Sequence, residues 1–186
     1  MKSNPLSLFQ YNFRAPGSEI AGPVRYAIGQ SVEGWVLVGR SQHGLCAIFL
    51  DSDAEGLCAQ LSNAFPQVER EEDAESLDRD LRQLIDFIDK DVAEGVIALD
   101  IGGTPFQQNV WKALCAIPAG QTRSYSEVAA GLDAPAAVGA VAGACAANVF
   151  AIAIPCHRVV RSDGSISGYR WGVERKRTLL AKERTQ

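Results

Sequence analysis

The sequence predicts an α/β (α+β) chain in two parts, a small α/β domain over residues 24–101 and a helical domain with a helix-turn-helix over 102–186. Three observations carry this. Val24–Ser31, Trp35–Ser41 and Gly44–Leu50 are rich in Val, Ile, Tyr and Trp and are separated by short turns, as antiparallel strands are. Asp100-Ile101-Gly102-Gly103 then breaks the chain, and beyond it Phe106, Val110, Trp111 and Leu114 fall on one helical face. Finally, a helix, a turn with glycine and a second helix follow one another between Ser124 and Ala147.

Taken in order, residues 1–23 hold Pro5, Pro16, Gly17, Gly22 and Pro23 and read as a tail or linker without the apolar core of a signal peptide. After the three strands, Ala54–Phe65 and Ala74–Ile88 show apolar residues at three- and four-residue spacing, with Leu81, Leu84, Ile85 and Ile88 as one stripe. The acidic stretch Val68–Asp80 is expected to be exposed, and Val96–Ile101 to be extended. Nothing in this first part carries chemistry, and Cys46 and Cys58 read as packing residues. In the second part Thr104 caps a helix, with Pro105 in its first turn and Gln107 closing a capping box. Ser124-Tyr125-Ser126-Glu127 opens the next helix in the same way, Gly131-Leu132-Asp133 turns, and an almost wholly small-residue helix runs to about Ala147. Ala151–Ile154 reads as a buried strand-like run stopped by Pro155, and Val173–Lys182 as a closing helix with Arg175, Lys176 and Arg177 exposed.

Composition narrows the function. Five cysteines, odd in number and widely scattered, argue against a disulfide framework and for a reducing, cytoplasmic setting. His43 and His157 are the sole histidines, and no CxxC or CxxH spacing exists, so no metal site is expected. No apolar run approaches the ~20 residues of a membrane span, so no membrane partner is expected. The net charge of −4 divides into −9 over residues 1–100 and +5 over 101–186, which points the second half toward a polyanion.

The chemistry concentrates in Ile154-Pro155-Cys156-His157-Arg158-Val159-Val160. A thiol becomes a strong nucleophile as thiolate, and a neighbouring imidazole removes its proton. Asn148 lies between the small helix and this corner, where its amide can bond backbone groups on both sides. The Gly/Ser-rich loop 161–172 offers Tyr169 and Trp171 as flat walls for a planar ligand. The small helix itself reads either as tightly packed core or as a helix able to approach the narrow minor groove closely.

Together these stretches resemble the O6-alkylguanine-DNA alkyltransferases, most nearly the alkyltransferase half of bacterial adaptive-response regulators, over roughly Val24 to Glu183. The resemblance rests on Phe106-Gln107-Gln108-Asn109-Val110-Trp111, Ser124-Tyr125, Ala146-Ala147-Asn148, the Pro155-to-Val160 element and Gly168-Tyr169-Arg170-Trp171-Gly172. It implies a ribonuclease-H-like first domain, a winged-helix-like second domain, and irreversible transfer of an alkyl group from O6 of a flipped-out guanine to Cys156. By the same resemblance His157 takes the thiol proton through a water, Glu183 steadies His157, Asn148 is a hinge, and Tyr125 aids base rotation and protonation of the leaving guanine. The carbonyls of Cys156 and Val159 and the N–H of Arg170, with Gly168, Tyr169 and Trp171, would form the guanine pocket. Tyr125, Ala136, Gly139, Ala140 and Arg158 would face DNA. No cofactor is implied; the partner is double-stranded DNA carrying O6-alkylguanine, met by a monomer.

One position departs from the family pattern. Gly139 stands where an arginine normally fills the gap left by the flipped base, and Ala134 and Ala136 stand where lysines are frequent. The expectation is intact cysteine chemistry with reduced duplex affinity, compensated by Arg158, Arg161 and Arg175. The alternative is an acceptor working on free O6-alkylguanine, nucleoside or single strands.

Overall fold

The computed structural model describes residues 8–185. They form a mixed α/β protein with one large sheet, a short two-stranded ladder and six helices. The described residues divide into two compact units that part between Gly102 and Gly103.

In the first unit the strands are β1 (Phe9–Phe13), β2 (Val24–Ser31), β3 (Gly34–Arg40), β4 (Leu45–Asp51), β5 (Arg70–Glu72) and β6 (Ile97–Ile101), in the spatial order β1-β6-β4-β3-β2-β5. β2, β3 and β4 form an antiparallel meander, and β1, β5 and β6 join it through parallel pairings. β3 and β4 lie at the centre, and their near-continuous apolar runs are buried on both faces. Helices α1 (Ala54–Ala64) and α2 (Ala74–Lys90) are each capped by an aspartate, Asp53 and Asp73, whose carboxylates accept from Gly56 and Ser76. α2 comes very close to β2 at Gly29, where an added Cβ would stand 2.9 Å from Ile85 Cδ1.

Two segments differ from the expectation drawn from the sequence. Phe9–Phe13 is no tail: it pairs residue for residue with Ile97–Ile101, and Phe9 packs edge-on against Phe87. Its alternating Phe9, Tyr11 and Phe13 are a strand signal lost among the prolines and glycines that follow. Arg70–Glu72, inside the acidic stretch, is an exposed edge strand parallel to β2, where charge is an ordinary edge composition.

The second unit holds α3 (Pro105–Cys115), α4 (Tyr125–Gly131), α5 (Val138–Ala147) and α6 (Val173–Arg184). Both capping boxes form, Thr104 with Gln107 and Ser124 with Glu127, each side chain reciprocating the other's backbone N–H. α5 buries Val141, Ala144 and Cys145, and Trp111 Nε1 of α3 donates to Ala144 O at 2.9 Å. Strands β7 (Arg123–Ser124) and β8 (Val159–Val160) pair in parallel, which ties the start of α4 to the segment after Cys156.

The run Ala151–Ile154 is buried but is not a strand. It folds into tight turns in which Ala153 N donates to Ala151 O and Ile154 N to Phe150 O, and Ile152 adopts a φ of 70°. That left-handed conformation is costly for a β-branched residue and persists where surrounding contacts fix it.

Candidate active site

Cys156, His157 and Arg158 form one turn of 3-10 helix directly after Pro155, with all three side chains buried. Asn148, at the C-terminal end of α5, holds this turn. Its Nδ2 donates to Ile154 O at 2.9 Å, Phe150 O at 3.3 Å and Cys156 Sγ at 3.3 Å, and its Oδ1 accepts from Phe150 N at 2.8 Å. The amide thus binds the backbone of Phe150 and Ile154, which leads into the turn, and also reaches the sulfur.

His157 Nε2 lies 2.8 Å from Glu183 Oε1 near the end of α6. Burial works against the Glu183 carboxylate, yet hydrogen bonds from His157 and Arg158 outweigh it and hold its pKa down to about 2. An ionised Glu183 accepts, so Nε2 carries the imidazole proton and Nδ1 keeps its lone pair. That Nδ1 is buried with no protein hydrogen-bond partner. Burial also lowers the His157 pKa in spite of Glu183, leaving a neutral ring in the tautomer of a base.

Cys156 faces a cavity of about 580 Å³ whose walls include Tyr125, Gly139, Cys145, Gly168, Tyr169 and Arg170. Burial pushes its thiol up to about 11, partly opposed by the Asn148 hydrogen bond and the Lys176 charge. At rest the sulfur is therefore protonated. Tyr125 reaches the same cavity and shares a 2.6 Å hydrogen bond with Ser167 Oγ. Burial raises its phenol pKa, so it stays a proton donor.

Of the residues expected from sequence, the structure brings together Cys156, His157, Glu183, Asn148, Tyr125, Gly168, Tyr169, Arg170 and Gly139. Ala136, Gly139 and Ala140 are exposed at the start of α5. Val159 is buried, and its carbonyl already accepts from Lys176 Nζ at 2.6 Å. Two expectations fail. Arg158 cannot meet DNA as placed: it is 3% exposed, its guanidinium forks onto Glu183 at 2.7–3.2 Å, and Nη1 donates to Ile117 O at 2.6 Å. It is a buried counter-charge, a role its Cys-His-Arg neighbours gave no means of seeing. Trp171 is 4% exposed and packs edge-on to Tyr169, with rings 5.4 Å apart, so it supports the pocket wall from behind.

One residue near the site differs from the sequence expectation. Lys176, read as exposed, is wholly buried and donates to Val159 O, Ser167 Oγ at 3.0 Å and Gly168 O at 3.4 Å. Burial lowers its pKa, and the nearby thiols act in the opposite sense. It pins the 161–172 loop to the Cys156 segment. A lysine between Arg175 and Arg177 looks like solvated helix surface, and the only available signal was its place one turn before Leu179 and Leu180 on the buried face.

A buried thiol next in sequence to a His–Glu pair, opening on a cavity in a helical unit, is an arrangement that suits a cysteine nucleophile. Comparison with known proteins makes the class specific. Residues 105–185 match the family model of the 6-O-methylguanine DNA methyltransferase DNA-binding domain. The chain is 47% identical over 179 residues to the regulatory protein Ada of Salmonella typhimurium, covering 96% of this chain and 50% of that protein. It is 35% identical over 159 residues to the inducible methylated-DNA–protein-cysteine methyltransferase of Bacillus subtilis, covering 86% of this chain and 84% of that one. The structure of Mycobacterium tuberculosis OGT in complex with DNA superposes with a TM-score of 0.73 at 33% identity, over 87% of this chain and 94% of that one. The chain belongs to the methylated-DNA–protein-cysteine methyltransferase family. It spans about half the length of the Ada proteins it matches.

Proposed function

We propose that this chain repairs DNA by moving an alkyl group from O6 of guanine to the sulfur of Cys156, irreversibly and once per molecule. The observation that carries this is the placement of Cys156 on a cavity that can hold a purine, with His157 and Glu183 behind it. His157 Nδ1 takes the thiol proton through a water, and the thiolate attacks the alkyl carbon. The S–C bond forms as the C–O6 bond breaks. Guanine is a poor leaving group as an anion, and the Tyr125 hydroxyl supplies a proton as it departs. A thiolate is a soft nucleophile suited to an sp³ carbon, so the step needs no cofactor. The product thioether cannot be displaced by a second substrate.

O6 is shielded inside a stacked duplex, so the base must swing out to reach Cys156. We read the unit that begins at Gly103 as winged-helix-like, presenting α4 and α5 to the duplex, and the first unit, about 24–101 with β1, as a ribonuclease-H-like scaffold. The protein acts as a monomer on one lesion, in the cytoplasm, where a free thiol is kept reduced. An acceptor restricted to free O6-alkylguanine is not favoured, because a relative of the same fold was solved with DNA. The test is incubation with a duplex carrying O6-methylguanine, followed by peptide mapping. One methyl group on the peptide holding Cys156, at one equivalent per protein, is expected. An unmodified Cys156 refutes the reading.

A further inference from the structure

The alkyl-transfer mechanism uses one thiol, but two line the cavity. Cys145, on the inner face of α5, lies against the same space as Cys156, and both are free. The lining also holds the small residues Gly139, Ala142 and Ala146, together with Tyr125, Ser167 and Arg170. A group attached to the Cys156 sulfur therefore projects into a confined space whose next nucleophile is a second sulfur. We propose that Cys145 is a second alkylation site, and that the Cys145–Cys156 pair captures two-ended electrophiles, alkyl groups that carry a leaving group at their far end, as an intramolecular bis-thioether.

The step balances. In the first transfer the Cys156 sulfur bonds the near carbon and the first leaving group departs. Cys145 then bonds the far carbon, directly or by opening the strained sulfonium ring that the Cys156 thioether can form. The second leaving group departs as its anion and the Cys145 proton goes to solvent. No oxidant or reductant is required.

The order follows from the site: Asn148 Nδ2 reaches the Cys156 sulfur, and burial holds the Cys145 thiol higher, at about 12 against about 11. Confinement favours the second step, since a nucleophile held in the same cavity has an effective concentration that free thiols in solution do not match. The consequence is protective: a reactive second arm left dangling at Cys156 would be free to join the protein to the DNA it is repairing.

The inference rests on the proposed role of Cys156, and its test keeps the two apart. The whole protein is treated with 1,2-dibromoethane, 1,3-dibromopropane and 1,4-dibromobutane in separate reactions, and peptides are mapped. For at least one spacer, the peptides of Cys145 and Cys156 are expected as one linked species, with the mass of the spacer less two hydrogens and the loss of two titratable thiols. Cys145→Ala and Cys145→Ser are expected to lose the link and carry a single hydrolysed adduct on Cys156. Wild-type protein is treated in parallel with O6-methylguanine duplex. Absence of the link with all three spacers overturns the assignment, whether Cys156 stays unmodified or carries only single-ended adducts. A Cys156 left unmodified by O6-methylguanine duplex overturns the underlying repair reading instead.

Discussion

Replacing Glu183 by glutamine tests the electrostatic frame of the site, because it removes one charge and almost no volume. Arg158 is 3% exposed and Glu183 is its only anionic partner in the structure's described residues, bound through Nε and Nη2 at 2.7–3.2 Å. Breaking a buried pair from one side leaves an uncompensated charge and costs about 3–5 kcal/mol. The carboxylate pKa gives an independent figure. It is held at about 2 against an ordinary 4.5, which corresponds to roughly 3 kcal/mol for a group this little exposed. The two agree, so Glu183→Gln should lose about 3 kcal/mol, a fall in Tm of roughly 6–12 °C for a chain of this size. Urea denaturation near neutral pH measures it. Adding Arg158→Met to Glu183→Gln removes the orphaned cation, so the double variant should recover at least half of the loss. A Glu183→Gln variant within about 1 kcal/mol of wild type, or a double variant whose cost is the plain sum of the singles, refutes this account of Arg158.

Other outcomes follow from the same geometry. The folded pKa of Glu183 lies below its unfolded value, so its contribution is complete above about 4.5 and is lost as pH falls toward about 2. The buried neutral His157, also lowered from 6.5, adds a loss of the same sign that begins at higher pH. Urea midpoints should therefore fall steadily on acidification, and a rise between these values contradicts the assignment. Lys176→Met removes a nearby positive charge and three hydrogen bonds, so the pH midpoint for iodoacetamide labelling of Cys156 should move upward from that of the wild type. An unmoved midpoint would reduce Lys176 to packing alone. At Gly139 an added Cβ meets nothing within 4 Å. Gly139→Arg should therefore fold, gain roughly 0.5–1 kcal/mol of helix stability, and tighten duplex binding by about 1–3 kcal/mol through the gap left by the base. Binding isotherms on damaged duplex at two salt concentrations check it, and equal affinity refutes the reading of that position.

Much of the fold was legible where local chemistry decides. The capping boxes at Thr104 and Ser124 are satisfied between residues three apart, so the sequence alone displays them. The β2–β3–β4 meander is written in β-branched residues separated by tight turns. Asn148 was legible as an amide tied to the Cys156 corner, but the expected bonds on both sides are not formed: its amide bonds backbone only at Phe150 and Ile154, after it in the chain. What escaped depended on partners far along the chain. Phe9–Phe13 is a strand because β6, about ninety residues later, offers it an edge. Ala151–Ile154 has strand composition, yet Asn148 and the left-handed Ile152 fold it into turns. Arg158 and Lys176 are cations whose acceptors, Glu183 and Ile117 O for one and Val159 O and the 161–172 loop for the other, are brought near only by the tertiary fold.

Glu183 sits in the last turn of α6, one residue before the helix ends at Arg184. Helix ends are where unravelling begins, and a carboxylate there gains nothing from the helix dipole. Its contacts with Arg158 and His157 tie that turn to the buried segment after Pro155, so this helix end is anchored by a side chain and not by its backbone alone.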